Sequence, residues 1–278
     1  MATLKIALGQ ILVEGGEPER NFERAHKMIK QAKKEGSQII VLPETIDFAW
    51  THPSSLKEAK AIPGDYSDLF CSLAKENSIY VCVGLTEKSG DKNYNTAILI
   101  NSEGEIILKY SKINLLTVEF PFYEVGTSLN VVDTPLGRIG LNICADNYKE
   151  STHIAKTLAS MGADLILSPS SWTVDHFIKE DEDPYRDKWL SPLHHVCHYF
   201  NTHIVSVTSV GYIVGGPYEG KKMVGCSLIV GPQGIIKQGL FNEFAGELTT
   251  VEIVLPEKKA KGIEIGQELK EKKYNFEW

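Results

Sequence analysis

The amino-acid sequence predicts an α/β fold in the form of a four-layer α-β-β-α sandwich. Three observations lead to this prediction. Segments typical of strands and helices alternate through the first third of the chain, paired strands with glycine-containing turns follow residue 93, and the second half repeats this order. Many predicted strands are continuous runs of Val, Ile and Leu, which is typical of strands buried on both faces. Two sheets packed face to face, with helices outside, would bury such strands.

The first half begins with a predicted strand at 4–13 and a helix at 21–35, for which Asn21 is the expected N-cap. Apolar residues recur in that helix at helical spacing, namely Phe22, Ala25, Met28, Ile29 and Ala32. A strand at 37–42, a helix at 67–77 and a strand at 79–85 follow. The second helix is expected to bury Leu69, Phe70, Leu73 and Ala74. Two antiparallel hairpins are then predicted, pairing 96–101 with 105–110 and 129–134 with 138–144.

The second half is predicted to contain the same kinds of element. They are a helix at 150–161, a strand at 163–168, a helix at 184–201, a strand at 202–210, a hairpin of 226–230 with 235–240 and a last strand at 246–255. No linker rich in Pro, Gly or Ser separates the halves, so one domain over 1–255 is expected. The tail 256–278 is charged but ends in aromatic residues, which we expect to pack on the body or on a neighbouring subunit.

Composition narrows the possible functions. The chain has 278 residues, of which 42% are hydrophobic, and a net charge of −7, which argues against a nucleic-acid partner. Its five cysteines are irregularly spaced, which argues against a disulfide framework or a zinc ribbon. The first residues read as a strand rather than a signal peptide, and no apolar run is long enough to span a membrane. These features predict a cytoplasmic protein that does not bind membranes.

Three predicted strands end in residues of types that can take part in catalysis. Cys144 follows the apolar run that starts at Arg138, Glu44 follows Leu42 and Pro43, and Lys112 ends the strand that begins at 105. A thiol at the end of a buried strand is rigidly held, as a nucleophile must be. Each residue also has an ordinary interpretation, since free cysteines are often small buried apolar residues and a lone Glu or Lys is often a surface charge.

Taken together, the segments Leu-Pro-Glu44, Tyr-Ser-Lys112-Ile-Asn-Leu and Gly-Leu-Asn-Ile-Cys144-Ala-Asp resemble the three signature segments of the nitrilase superfamily, the carbon-nitrogen hydrolases. The resemblance extends over most of the chain, including 133–140, 168–172 and 224–234. It implies a sandwich of nitrilase type and a catalytic triad of Glu44, Lys112 and Cys144. It also implies a homodimer or a larger homo-oligomer, and the chemistry needs no cofactor or metal.

A second glutamate commonly supports the lysine and the substrate in this family. Glu119 matches its position best, and Glu124 is the alternative. In the chemistry that the resemblance implies, the Lys112 ammonium lowers the pKa of the Cys144 thiol and Glu44 accepts its proton. Lys112 and the backbone N–H of Ala145 would then stabilise the oxyanion.

The residues after Cys144 bear on the substrate. Many amidase relatives have an arginine and a proline in this segment, whereas this chain reads Cys144-Ala-Asp-Asn-Tyr-Lys-Glu150. Without that arginine, which can bind a carboxylate bidentately, dicarboxylic ω-amides and N-carbamoyl amino acids are less favoured, unless Lys149 or Arg186 compensates. Nitrilases typically have Trp-Glu there, so an amide or carbamoyl substrate ranks above a nitrile. Four aromatic residues lie near the motifs in the sequence, namely Phe48, Trp50, Tyr123 and Trp172. They would either form an aromatic wall around the substrate or be ordinary core residues.

Two further readings remain open. His194, Cys197 and His198 share one face of a predicted helix and suggest a metal site, although no further ligand is evident. The second interpretation is that the chain is a regulatory or scaffolding member of the family, which the intact triad disfavours.

Overall fold

Two six-stranded sheets pack face to face in the computed structural model, which describes residues 3–180 and 185–255, without the side chains of 185–187. The first sheet contains, in spatial order, β15 (Glu247–Val254), β1 (Thr3–Gln10), β2 (Ile39–Val41), β3 (Tyr80–Ser89), β4 (Lys92–Ile100) and β5 (Ile106–Ser111). The second contains β14 (Gly234–Gln238), β13 (Leu228–Gly231), β10 (His203–Thr208), β8 (Leu165–Ser170), β7 (Gly137–Leu141) and β6 (Val131–Thr134).

The helices form the outer layers. Those of the first half are α1 (Pro18–Lys34), α2 (Ser55–Glu58) and α3 (Asp65–Asn77), and those of the second half are α4 (His153–Ser160) and α5 (Tyr185–Phe200). A small third sheet contains β11 (Val210–Tyr212), β12 (Lys222–Val224) and β9 (Thr173–Val174). The predicted α-β-β-α sandwich is confirmed.

Both large sheets follow one plan. In the first, β1, β2 and β3 run parallel, and antiparallel strands flank them. In the second, β7, β8 and β10 run parallel and are flanked in the same way. The repeated order of elements in the sequence therefore reflects two similar sheets.

The alternation of side chains along β2 shows how the layers are held together. Ile39 and Val41 pack into the core between the sheets, whereas Ile40 packs into the core beneath α1 and α3. All three are fully buried, and burying an aliphatic side chain of this size stabilises a fold by about 2 kcal/mol. A strand without a polar residue is therefore the expected composition for the middle of this sandwich.

Several predicted boundaries were wrong. Helix α1 begins at Pro18, so Asn21 lies inside it, where its side chain exchanges two 2.8 Å hydrogen bonds with the backbone of Glu14 instead of capping the helix. Proline suits the first helical turn because its missing N–H would have no partner there. Leu69, expected to be inward, is 38% exposed, while Phe70 beside it is fully buried.

Strand β4 begins at Lys92 rather than at 96, because it also forms a hairpin with β3 that the sequence did not indicate. The predicted start of the helix at 184 and the tail 256–278 lie outside the described residues. Within the described part of the chain, none of the helices has the length and apolar character needed to cross a membrane.

Candidate active site

The three predicted residues lie together at one end of the sandwich, each just beyond the end of a strand. Lys112 directly follows β5, and Glu44 follows β2 after Leu42 and Pro43. Strand β7 ends at Leu141, so Cys144 does not end the strand as expected. Instead Cys144 opens a short 3-10 turn with φ 44°, a left-handed conformation that costs a non-glycine residue about 1 kcal/mol or more.

Close packing between backbones fixes Glu44. A Cβ atom on Gly84 of β3 would lie 2.6 Å from Cα of Glu44, so only glycine allows the two segments to approach this closely. The backbone N–H of Glu44 donates to the carbonyl of Ser170, at the end of β8, over 3.3 Å. Glu44 is thereby held between the two large sheets.

Lys112 is held by its backbone as well as by its side chain. Its N–H donates to the carbonyl of Asn95 over 2.8 Å, and its own carbonyl accepts a 2.9 Å hydrogen bond from Gly126. The Nζ atom lies 3.0 Å from Oε1 of Glu44 and 2.8 Å from Oε1 of Glu119. The side chains of these three charged residues are fully buried.

Of the two candidate supporting glutamates, Glu119 is the one that lies beside Lys112. Its Oε1 accepts a 2.8 Å hydrogen bond from Nε1 of Trp50, and its Oε2 accepts one of the same length from the N–H of Leu116. Glu124, the alternative, lies on the surface, where it pairs with Lys92 over 3.1 Å.

The pKa of the Cys144 thiol lies well above its usual range, contrary to the sequence expectation. Burial raises it most and the Glu44 carboxylate raises it further, while Lys112 and the backbone N–H of Ser171 oppose them. The sequence anticipated the influence of Lys112 but not the larger effect of burial. The resting residue is therefore a neutral thiol.

The charges of the other two groups follow from the same environment. Burial alone would lower the pKa of Lys112, but Glu119 and Glu44 outweigh it, so this pKa is raised and the residue is an ammonium. Burial raises the pKa of Glu44, and Glu119 adds to the effect, while Lys112 and Asn95 oppose it. The second oxygen of Glu44, Oε2, is buried and has no hydrogen-bond partner among the described residues.

Sequence reasoning missed a second group of polar residues, centred on Asp146. This buried carboxylate accepts hydrogen bonds from the hydroxyl of Tyr110 (2.7 Å), the backbone and side chain of Asn114 (3.0 and 2.8 Å) and the N–H of Ile143 (2.9 Å). Asp146 thus ties the turn that carries Cys144 to the chain on either side of Lys112. The sequence feature that could have indicated this residue is its position two residues after Cys144.

The four residues expected to bind substrate, Ala145, Trp50, Tyr123 and Trp172, are all buried. Ala145 lies in the turn that begins at Cys144 and is 1% exposed. Trp50 donates its hydrogen bond to Glu119, as described above. The hydroxyl of Tyr123 accepts a 3.2 Å hydrogen bond from the N–H of Thr51. Trp172 follows Ser171 and stacks on Trp189 with ring centroids 4.5 Å apart. Phe48, in contrast, belongs to the core, where it packs beside Tyr66.

The remaining expectations concern residues away from this group. Lys149 is exposed, and the side chain of Arg186 lies outside the described residues. Cys197 faces inward and donates to the carbonyl of Val230, whereas His198 is exposed and lies 3.1 Å from the carbonyl of Pro232. In the described ranges, no three His, Cys, Asp or Glu side chains are grouped to hold a metal ion.

The fold and the buried charges define an α-β-β-α sandwich protein with a glutamate, a lysine and a cysteine at one end. Residues 5–260 match the family model for carbon-nitrogen hydrolases. The chain belongs to the carbon-nitrogen hydrolase family.

Individual relatives agree with this assignment. The chain is 35% identical over 173 residues to a nitrilase of Pyrococcus abyssi, covering 60% of this chain and 65% of the relative. It is 34% identical over 185 residues to the omega-amidase NIT2 of Bos taurus, covering 63% of this chain and 66% of the relative. The match thus spans just under two thirds of the length of these relatives.

Solved structures resemble the fold more completely. A variant of the amidase from Nesterenkonia sp. AN1, with the acetamide moiety of fluoroacetamide added covalently at its active-site cysteine, superposes with a TM-score of 0.77 and 19% identity over 90% of each chain. The amidase without its tag gives the same TM-score at 20% identity, covering 91% of this chain and 93% of that one. At this identity the likeness concerns the fold alone.

Proposed function

We propose that this protein hydrolyses the carbon-nitrogen bond of a small linear carboxamide, giving a carboxylic acid and ammonia through a thioester on Cys144. The observation that carries the proposal is the fully buried Lys112 ammonium held between Glu44 and Glu119 beside a buried cysteine. Burying three charged groups is costly unless they are paired, and such sites are commonly functional.

In the first half of the reaction, Oε2 of Glu44 accepts the thiol proton as the sulfur of Cys144 attacks the carbonyl carbon. The carbonyl oxygen becomes an oxyanion, which the Lys112 ammonium and the backbone N–H of Ala145 stabilise. A good donor of this kind contributes about 3 kcal/mol. The C–N bond then breaks, Glu44 returns the proton to the nitrogen, and ammonia leaves the thioester.

In the second half, Glu44 removes a proton from water, and the resulting hydroxide adds to the thioester carbonyl. The C–S bond breaks, Glu44 gives the proton back to the sulfur, and the carboxylic acid is released. The raised pKa of Glu44 suits a group that accepts and returns a proton twice in one cycle.

Relatives support an amide as substrate. One curated relative is an omega-amidase, and the Nesterenkonia amidase carries an acetamide adduct on its active-site cysteine. Two buried carboxylates facing one ammonium give Glu44, Glu119 and Lys112 a formal charge of −1 together (+1 − 2). That charge favours an uncharged amide over a substrate with a carboxylate near the scissile bond. N-carbamoyl amides and nitriles are the alternatives.

Ammonia release from a panel of carboxamides, carbamoyl compounds and nitriles tests this function. The wild type and Cys71→Ala, which removes a half-buried thiol on α3, should release ammonia from carboxamides at equal rates. Cys144→Ala should release none above background, because no other group replaces the sulfur. Turnover by folded Cys144→Ala would refute the mechanism, and turnover of nitriles alone would refute the substrate class.

We also propose that the protein is a homodimer or a larger homo-oligomer. Light scattering of the full chain tests the assembly. A monomer at all concentrations would contradict it.

A further inference from the structure

Asn95, a residue that the sequence did not single out, contacts all three charged residues of the site. It lies in β4 and is fully buried. Its Nδ2 lies 2.5 Å from Oε1 of Glu44 and 3.4 Å from Oε1 of Glu119, and its backbone carbonyl accepts the N–H of Lys112 over 2.8 Å.

We propose that Asn95 is a positioning residue that holds Glu44 and Glu119 on Lys112 and reserves the second oxygen of Glu44 for proton transfer. Oε1 of Glu44 is occupied by both Asn95 and Lys112, so its orientation is fixed. Oε2 has no partner in the described part of the chain and is the oxygen left to act as a base.

The chemistry of the amide explains why an asparagine fits this position. Two carboxylates close to one ammonium repel each other, and a neutral N–H donor between them reduces that repulsion without adding charge. A second lysine would neutralise the base, and an ionised aspartate would add a third negative charge. The Asn95 hydrogen bond also lowers the pKa of Glu44 and so opposes the effect of burial.

This inference rests on the proposed function, because it assigns Asn95 to the proton transfer at Glu44. Asn95→Leu retains the size of the side chain but removes the donor, and Asn95→Ala removes both. Asn93 offers a matched control, since it is a buried asparagine on the same face of β4 whose side chain donates to the carbonyl of Ser55 instead.

The experiment measures kcat, KM and the pH dependence of carboxamide hydrolysis. We expect both Asn95 variants to lose about 10- to 100-fold in kcat, the loss of one hydrogen bond to a charged group. KM should change less than threefold. The acid limb of the pH profile should move up by about one pH unit, because the carboxylate form of Glu44 loses a donor. Asn93→Leu and Asn93→Ala should change neither kcat nor the acid limb.

A second readout needs no substrate. The rate at which iodoacetamide alkylates Cys144, followed by peptide mass, should show the same shift of its acid limb in both Asn95 variants. If the wild type hydrolyses no carboxamide, the proposed function fails while this readout still tests Asn95.

Wild-type kcat and an unshifted acid limb in Asn95→Leu would overturn the proposal. Activity that is lost in Asn95→Ala but restored in Asn95→Leu would also overturn it, because it would show that Asn95 only fills space. If Asn95→Leu does not fold, as judged by thermal unfolding, Asn95→Ala decides, because it introduces no bulk. An unshifted acid limb in Asn95→Ala overturns the proposal equally.

Discussion

Lys112 shows how much of this site depends on single residues. Its ammonium is the shared partner of Glu44 and Glu119, and all three side chains are fully buried. Removing one partner of a buried charged group leaves the others without compensation, which costs about 3–5 kcal/mol. The same ammonium is proposed to stabilise the oxyanion, so its loss would affect both folding and rate.

We therefore expect Lys112→Met to lower kcat at least 100-fold and to reduce the free energy of unfolding by about 3 kcal/mol or more. Denaturant unfolding and ammonia release measure the two effects. Lys109→Met is the control, because Lys109 lies in β5, three residues before Lys112, but pairs with Glu87 through a side chain that is 43% exposed. If the two variants behave alike, Lys112 has no special role.

At this scale, segments that resemble the family's signature segments indicated Glu44, Lys112 and Cys144, each at the end of a predicted strand. Their neighbours Asn95 and Asp146 were missed for a physical reason. A polar residue is recognised as part of a site only by what it contacts, and these contacts join segments far apart in the chain. The direction of the Cys144 pKa could not be predicted either, because it depends on burial.

At the scale of elements, the segment between β2 and α2 carries much of the site. It contains Glu44 and Trp50, and three of its residues have a left-handed backbone, Thr45, Ala49 and Thr51. The close approach of Gly84 in β3 holds the start of this segment in place. The sequence showed that a strand ends at Pro43, but it contained no signal for the irregular backbone that follows.

We expect Gly84→Ala to lower activity at least tenfold, because the new Cβ would lie 2.6 Å from Cα of Glu44 and 2.9 Å from the carbonyl of Pro43. Glu44 must then move away from Lys112. Gly90→Ala is the control in the turn after the same strand. It has φ 59° and nothing within 4 Å of a Cβ, so it should cost about 1 kcal/mol of stability and leave kcat unchanged. Full activity in Gly84→Ala would show that this contact does not position Glu44.

At the scale of the whole molecule, the sandwich has a buried carboxylate outside the proposed catalytic group. Asp47 accepts hydrogen bonds from the N–H of Thr86 (2.7 Å) and of Phe48 (3.0 Å), and the first of these joins the segment after β2 to β3. Burial raises the pKa of Asp47 to about 6 from an ordinary 3.8, although these hydrogen bonds oppose it. Between pH 3.8 and about 6, the folded protein therefore keeps a proton on Asp47 that the unfolded chain has already released.

The stability of the protein should depend on pH through Asp47. Its contribution is fully present below pH 3.8 and is lost as the pH rises through about 6, and the difference corresponds to about 3 kcal/mol. Denaturant unfolding between pH 4.5 and 7.5 should show a decline that is absent in Asp47→Asn. The difference between the two proteins isolates this group from other titrating residues. Parallel curves would contradict the assignment.

The architecture itself was well predicted because hydrophobic patterns and turn residues determine it. The repeated order of elements and the Val/Ile/Leu runs indicated two sheets buried on both faces, as the side chains of β2 show. The hairpin of β3 with β4 was missed because residues 86–95 are largely polar, although several of them are buried by contacts from distant segments.

The central claim is that Cys144 forms a thioester with the acyl group of the substrate. Peptide mass spectrometry of acid-quenched mixtures of the wild-type protein with carboxamides tests it most directly. The account predicts an added acyl mass on the peptide that contains Cys144, removed by hydroxylamine and absent from Cys144→Ser. An acyl group on a different residue, or carboxamide turnover that persists in Cys144→Ala, would contradict it.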